Sequence, residues 1–378
     1  MNITAVARSL EPVASAVRSA RPARGGTATQ LSSALAGLLL GVGLVLTAPG
    51  FAQPAPNQSV AGVALLRGEN RLQTLIEGAR KEGELTVYLS QPNVGLVTQA
   101  FAKKFGIKVK VWRASSENVL QRIISEARGG RFDVDLTQSS APELEALHRE
   151  KLLQQVASPF IAELMPQAVP AHKEWVGIAI NKITQAYNTA RIKKEDLPKS
   201  YQDLLDPKWK GHLGIEASDQ HWFAYVLQEL GQEKGLKLFK DIVATNGISV
   251  RSGHSLLAQL VASGEVPLAL TVYSWNPDAL KRKGAPIERF EISQPIAQFI
   301  GLGMLNKAPH PHAAVLLYDF TLSEGQEILS KQHAIAASTK FDLDEKKVPI
   351  RFIDPGLTLD RNEQWVQTFE EVFAKRTK

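Results

Sequence analysis

Between residues 85 and 148 the chain alternates between the period of a strand and the period of a helix, and this restricts its possible folds more than any other feature. Leu85-Thr86-Val87-Tyr88-Leu89 is a short apolar run of strand type. Leu96, Val97, Ala100, Phe101 and Phe105 then fall on one helical face, and Gly106 stops the helix. Ile107, Val109 and Val111 alternate with Lys108 and Lys110, the pattern of a strand with one wet face. Ser115-Ser116-Glu117 caps a helix whose stripe is Val119, Leu120, Ile123, Ile124 and Ala127, ended by Gly129-Gly130. A third strand is expected over 132–136 and a third helix over 141–148. Three strand-helix pairs in succession predict a parallel sheet covered by helices.

The alternation restarts after breaks at Asp196-Leu197-Pro198 and Asp206-Pro207-Lys208. Leu213-Gly214-Ile215 reads as a strand, and Ser218-Asp219 as the cap of a helix that buries Phe223, Val226, Leu227 and Leu230 before Gly231. Helices over 234–243 and 254–263 and an apolar strand over 267–273 complete a second α/β unit. A chain of 378 residues accommodates two such units, each with its own core.

The N-terminus reads as a targeting segment. Arg8, Arg18, Arg21 and Arg24 face a single acid, Glu11, and precede a nearly continuous apolar run over 31–47 closed by Gly50-Phe51-Ala52. A basic region, an apolar core and a small-x-Ala site predict a secretory signal peptide over 1–52, cleaved after Ala52. The apolar run is short for a membrane span of roughly 20 residues. Removing four Arg and one Glu lowers the net charge from +6 to +3. With so mild a charge and no Lys/Arg block of five or more, a nucleic-acid partner is not expected. The chain has no Cys, which fits an oxidising compartment and excludes a lipid-anchored N-terminus. The periplasm is the expected location.

Ligands of open α/β sheets sit beyond the carboxyl ends of the strands, where loops and helix N-termini converge. The candidate binding residues are therefore Ser90 and Gln91 after the first strand, Ser115 and Ser116 after the second, and Gln138 and Ser139 after the third. The second unit adds Ser218, Asp219 and Gln220, then Arg251 and His254, then Tyr273, Ser274 and Trp275. Any one Ser or Asp here could simply cap its helix, but capping does not account for His254, Trp275 and the amides. Converging helix N-termini with hydroxyl and amide donors suit a carboxylate, a phosphate or a similar anion.

The order of Leu85-Thr86-Val87-Tyr88, Ala100-Phe101-Ala102-Lys103-Lys104-Phe105-Gly106-Ile107-Lys108-Val109, Asp133-Val134-Asp135 and Tyr187-Asn188-Thr189 resembles the periplasmic solute-binding proteins of ABC importers. Leu197-Pro198-Lys199-Ser200, Asp206-Pro207-Lys208-Trp209-Lys210-Gly211 and Ser323-Glu324-Gly325-Gln326-Glu327 continue the pattern. Within that superfamily the chain is most similar to the group containing ferric-ion-binding proteins. The resemblance implies a two-lobed type II periplasmic binding fold, α/β, with a central sheet in each lobe and a two-crossing hinge. Lobe 1 is expected over 66–180 and 301–378 and lobe 2 over 181–300, with crossings near 179–187 and 295–303. It further implies a monomer that docks on an inner-membrane ABC permease and closes on a small-molecule ligand.

Relatives that bind ferric ion use a His after the first strand, a Glu after the third and two consecutive Tyr after the second-lobe strand. This sequence offers Gln91-Pro92, Gln138-Ser139 and Tyr273-Ser274-Trp275 at those places. Neutral amides and hydroxyls leave a trivalent ion uncompensated in a desolvated cleft. The sequence therefore points to a small anionic or polar organic solute, with no metal ligands and no cofactor. Ferric iron, bare or as a chelate, is the alternative. No catalytic residues are assigned: a Cys nucleophile, a Gly-x-Ser-x-Gly elbow, a His-Glu-x-x-His motif and a phosphate-binding loop are all missing. An exported enzyme on the same fold, or a sensor that docks on a receptor, are weaker readings.

Overall fold

The computed structural model describes residues 59–373; the signal segment expected over 1–52 lies outside them. Strand β1 (Glu84–Leu89) runs parallel to both its neighbours, β2 (Lys108–Arg113) and β3 (Leu136–Ser140). Beyond the short β4 (Leu153–Gln154) comes β5 (Trp175–Asn188), 14 residues long and buried throughout. A second parallel group is formed by β6 (Leu213–Glu216), β7 (Ser249–Arg251) and β8 (Leu268–Tyr273). Then β9 (Ile287–Phe290) pairs with the end of β5, and β10 (Ile296–Leu305) runs back antiparallel along it. Two-residue strands β11 (Ile335–Ala336) and β12 (Arg351–Phe352) add to β5 and β10. The main path is β2-β1-β3-β10-β5-β8-β6-β7, so β5 and β10 join the two parallel groups.

The cores show where the chain crosses. One cluster of buried apolar side chains takes Ile178 and Ile180 from β5 and Ala297, Phe299 and Leu302 from β10. A second takes Ile183 from β5 and Ile296 from β10, together with Leu213, Ile215, Trp222, Phe223 and Phe239. Both long strands therefore change core within about three residues, at a point where Ile183 stands opposite Ile296. A smaller cluster, including Leu257, Val261 and Val272, lies under the helix His254–Ser263.

The C-terminus departs from the lobe assignment made from sequence. Its last helix, Pro355–Phe373, buries Trp365, Phe369, Val372 and Phe373 in the second cluster, not in the first. Phe223 and Phe373 meet edge to face with centroids 4.9 Å apart, an arrangement aromatic rings favour. The large apolar area on this helix decides where it packs, and chain order gives no hint of it. The span 301–378 thus divides between the two cores.

Most local expectations hold. Gly106 ends the helix Val94–Phe105 at φ 72°, a conformation open to glycine at little cost. The Ser115 hydroxyl caps the helix Ser116–Arg128 by accepting from the Asn118 N–H at 3.3 Å. The third strand does not fall at 132–136 but at Leu136–Ser140. Asp135 is the reason: its buried carboxylate accepts the backbone N–H of Thr86 at 2.7 Å and of His310 at 2.6 Å, which fixes the chain just before the strand begins. Among the described residues, no helix is long and apolar enough to cross a membrane.

Candidate functional site

Strands β6, β7 and β8 are parallel, so their carboxyl ends open on the same side of the sheet. Glu216 is the last residue of β6, His254 begins the helix after β7, and Tyr273 is the last residue of β8. Asp219, in the turn after β6, completes the group. The His254 ring lies on the Tyr273 ring with centroids 3.8 Å apart and planes inclined by 38°, and its Nε2 is 3.4 Å from Asp219 Oδ1. Ligand atoms of Glu216, Asp219 and His254 all fall within 4.8 Å of one another.

Backbone groups hold Glu216 in place. Its Oε1 accepts the Gly253 N–H at 2.9 Å and its Oε2 the Ser218 N–H at 2.6 Å. The Asp219 Oδ2 and His254 Nδ1 atoms are buried, and Thr271 is the hydrogen-bonding neighbour of both side chains, through its hydroxyl for Asp219 and its backbone for His254. From the other core, Glu143 in the first turn of the helix Ala141–Arg149 also buries an unpartnered Oε2. Its charge reaches Tyr273.

Burial sets the electrostatics of this group. It pushes the Asp219 and Glu143 carboxyls each up to about 7. Glu216 is raised by burial and then by the Asp219 charge, with His254 opposing. His254 is pushed down to about 4 by burial, against the pull of Glu216. The Tyr273 phenol is held far above its usual range by burial and next by Asp219, while the hydrogen bond from Gln298 pulls it down. Two carboxyls and a phenol thus surround a neutral imidazole, and the charge of Glu143 reaches the phenol. A dry, electron-rich group of this kind is stabilised by a cation.

The other residues picked from the sequence sit differently. Gln138 and Ser139 lie inside β3 instead of in a loop, and both are fully buried. The Gln138 Oε1 accepts the N–H groups of Ser90 and Gln91 at 3.0 and 2.9 Å, and its Nε2 donates to Ser90 Oγ at 3.1 Å. These polar groups are spent on one another, bracketing β1 to β3. Ser116 and Ser140 share a hydroxyl contact at 2.9 Å, while Ser115 is an exposed cap. Gln220 turns toward Asn362 of the last helix, 3.4 Å away. Arg251 points at Glu265, 3.5 Å away, and is 40% exposed. The Ser274 N–H donates to the Lys182 carbonyl at 2.8 Å, and Trp275 keeps its ring 6.4 Å from that of Tyr273. The structure therefore gathers Asp219, His254 and Tyr273. It adds Glu216 and Glu143, which the sequence reading missed. Glu216 was findable, because it ends a strand that the apolar pattern had located; Glu143 looked like any acid in a first helical turn.

Similarity to known proteins fits this architecture. The Fe(3+)-binding periplasmic protein of Serratia marcescens is 28% identical over 311 residues, covering 78% of this chain and 91% of that one. Iron-bound HitA from Pseudomonas aeruginosa superposes with a TM-score of 0.65 at 26% identity, over 76% of this chain and 99% of that one. AfuA from Actinobacillus pleuropneumoniae, solved with exogenous fructose-6-phosphate bound, has the same fold, with a TM-score of 0.66 at 23% identity over 78% and 99%. Residues 97–348 match the family of bacterial extracellular solute-binding proteins, two thirds of the sequence, and the chain belongs to that family.

Proposed function

We propose that this protein is the periplasmic cargo-binding component of an ABC importer and that its cargo is a hard metal cation, ferric iron first. The observation that carries the reading is the buried set Glu216, Asp219, His254 and Tyr273, on which no Lys or Arg among the described residues acts. Ferric ion prefers anionic oxygen donors, and the set offers carboxylates and a phenol together with one imidazole. An organic anion would meet like charge there. The names of two of the three relatives above point the same way, while AfuA was solved with a sugar phosphate.

Four of these side chains belong to one lobe, and Glu143 belongs to the other. A cation that engages both has more ligands in the closed form than in the open one. It therefore shifts the equilibrium toward closure by the difference in affinity. The closed form is what a permease would recognise.

The test is a titration of the purified protein with ferric citrate, read by thermal shift and by the visible phenolate-to-ferric charge-transfer band. The expected result is a stabilised protein with that band in the wild type and no band in Tyr273→Phe. Stabilisation by sugar phosphates or dicarboxylates, with no response to ferric salts, would return the site to the organic-anion reading.

A further inference from the structure

A second cluster of metal-ligand type lies on the other side of the helix that carries Glu143. Glu145 and His148 are three residues apart on the helix Ala141–Arg149 and so share one face. The loop before β5 brings His172 and Glu174 against them. The two imidazoles stack with centroids 3.7 Å apart and planes within 10°. The His148 Nδ1 donates to Glu174 Oε2 at 2.7 Å, and His172 Nε2 to Glu145 Oε2 at 3.1 Å. Ligand atoms of Glu145, His148 and His172 lie within 4.8 Å of one another.

We propose that Glu145, His148 and His172 form a second cation site, for a borderline divalent ion of the zinc class. Two imidazoles with a carboxylate are the donor set that such ions select over calcium or magnesium. Supporting contacts are already in place around the ligands. The Trp175 Nε1–H donates to Glu145 Oε2 at 3.2 Å, and Glu174 fixes His148 with Nδ1 protonated. That leaves the His148 Nε2 lone pair for a metal, the usual carboxylate-histidine-metal order. All four side chains are between 15% and 29% exposed, so an ion can reach them from solvent. A cavity of about 400 Å³ lined by Glu145, His172, Trp175 and Phe299 adjoins the cluster and has room for a water or carboxylate as the remaining ligand.

The ion replaces the proton that His172 Nε2 now shares with Glu145. The ring proton moves to Nδ1, which forfeits the bond from the Glu174 N–H at 3.1 Å. The stacked rings must also fan apart. Both changes cost affinity and place the site in the micromolar range, not the nanomolar.

The test is calorimetric titration of the purified protein with zinc chloride. Wild type and the cleft variant Asp219→Asn/Tyr273→Phe should each bind one zinc ion at this site with about micromolar affinity. His148→Ala/His172→Ala should lose at least about tenfold, and the conservative Glu145→Gln, which keeps the side-chain volume, should weaken binding as well. Equal zinc affinity in the wild type and the His148→Ala/His172→Ala variant would overturn the assignment, as would no heat of binding up to about 0.1 mM zinc. Loss of zinc binding in the cleft variant alone would place the ion in the cleft instead.

Discussion

The Gln298 side chain, on β10, donates its Nε2–H to the hydroxyl of Tyr273, at the end of β8, at 3.0 Å. The phenol is thereby tied to a strand that runs between the two cores. A donor so placed stabilises the phenolate more than the phenol.

Gln298→Leu keeps the side-chain bulk and removes that donor. Hydrogen bonds to charged groups contribute about 1.5–3 kcal/mol, so ferric affinity should fall by roughly tenfold to a hundredfold with little change in Tm. Competition against citrate measures the affinity directly. An unchanged affinity would take Tyr273 out of the liganding set.

Without a cation, the raised carboxyls make stability depend on pH. Asp219 and Glu143 sit near 7 in the folded state but near 4 when unfolded. The folded protein therefore binds protons more tightly. The contribution of these two groups is most favourable below about pH 4 and is lost as pH rises toward 7. In Asp219→Asn/Glu143→Gln, Tm between pH 4 and pH 7 should fall less steeply than in the wild type. Parallel Tm curves for the two proteins would contradict this.

Arg71 and Asp319 form a buried ion pair that joins the helix Arg71–Glu82 to the helix Pro311–Leu322, with a second contact from Arg71 Nη2 to Asp319 Oδ1 at 3.2 Å. Arg71→Met leaves the Asp319 charge buried and should cost about 3–5 kcal/mol in urea unfolding. The double change Arg71→Met/Asp319→Leu should recover much of that loss.

Trp365→Ala removes a buried ring that touches both His221 and Tyr225, with centroids 5.8 and 6.3 Å away. The expected cost is about 3–5 kcal/mol. Binding at the cleft should survive at temperatures where the variant is still folded. A loss below 1 kcal/mol would mean that the last helix contributes little to the second core.

Both parallel units, most helix stops and the placement of His254 and Tyr273 at strand ends could be read from periodicity and from glycine and serine punctuation. Three things could not. The third strand begins four residues later than its apolar run, because Asp135 is committed to backbone N–H groups of Thr86 and His310. Gln138 looked like a ligand donor and is a bracket within the sheet, since an amide at a strand end gives no sign of what it bonds. The last helix joins a core whose aromatic centre, Trp222, Phe223 and Phe239, lies more than a hundred positions earlier, a distance over which local pattern carries no information. The grouping behind the proposed cation preference was also hidden. It depends on three carboxyls, Glu143, Glu216 and Asp219, that come from two cores and are acids of ordinary appearance in the sequence.

The long pairing of β5 with β10 has a mechanical consequence. Their register runs from Ile183 opposite Ile296 to Gly303 opposite Trp175, with one irregularity between Ile300 and Gly301. Gly301 sits where any side chain would strike Leu144, 2.5 Å from the position of a Cβ, so the helix carrying Glu143 rests directly on the ribbon at that irregularity. Each strand is flanked on its other side, β10 by β3 and β5 by β8, so the pair is held within one continuous sheet. Glu143, on a helix that rests on this sheet, and Tyr273, at the end of one of its strands, are therefore coupled through the same hydrogen-bonded layer, and a change in their separation has to pass through it.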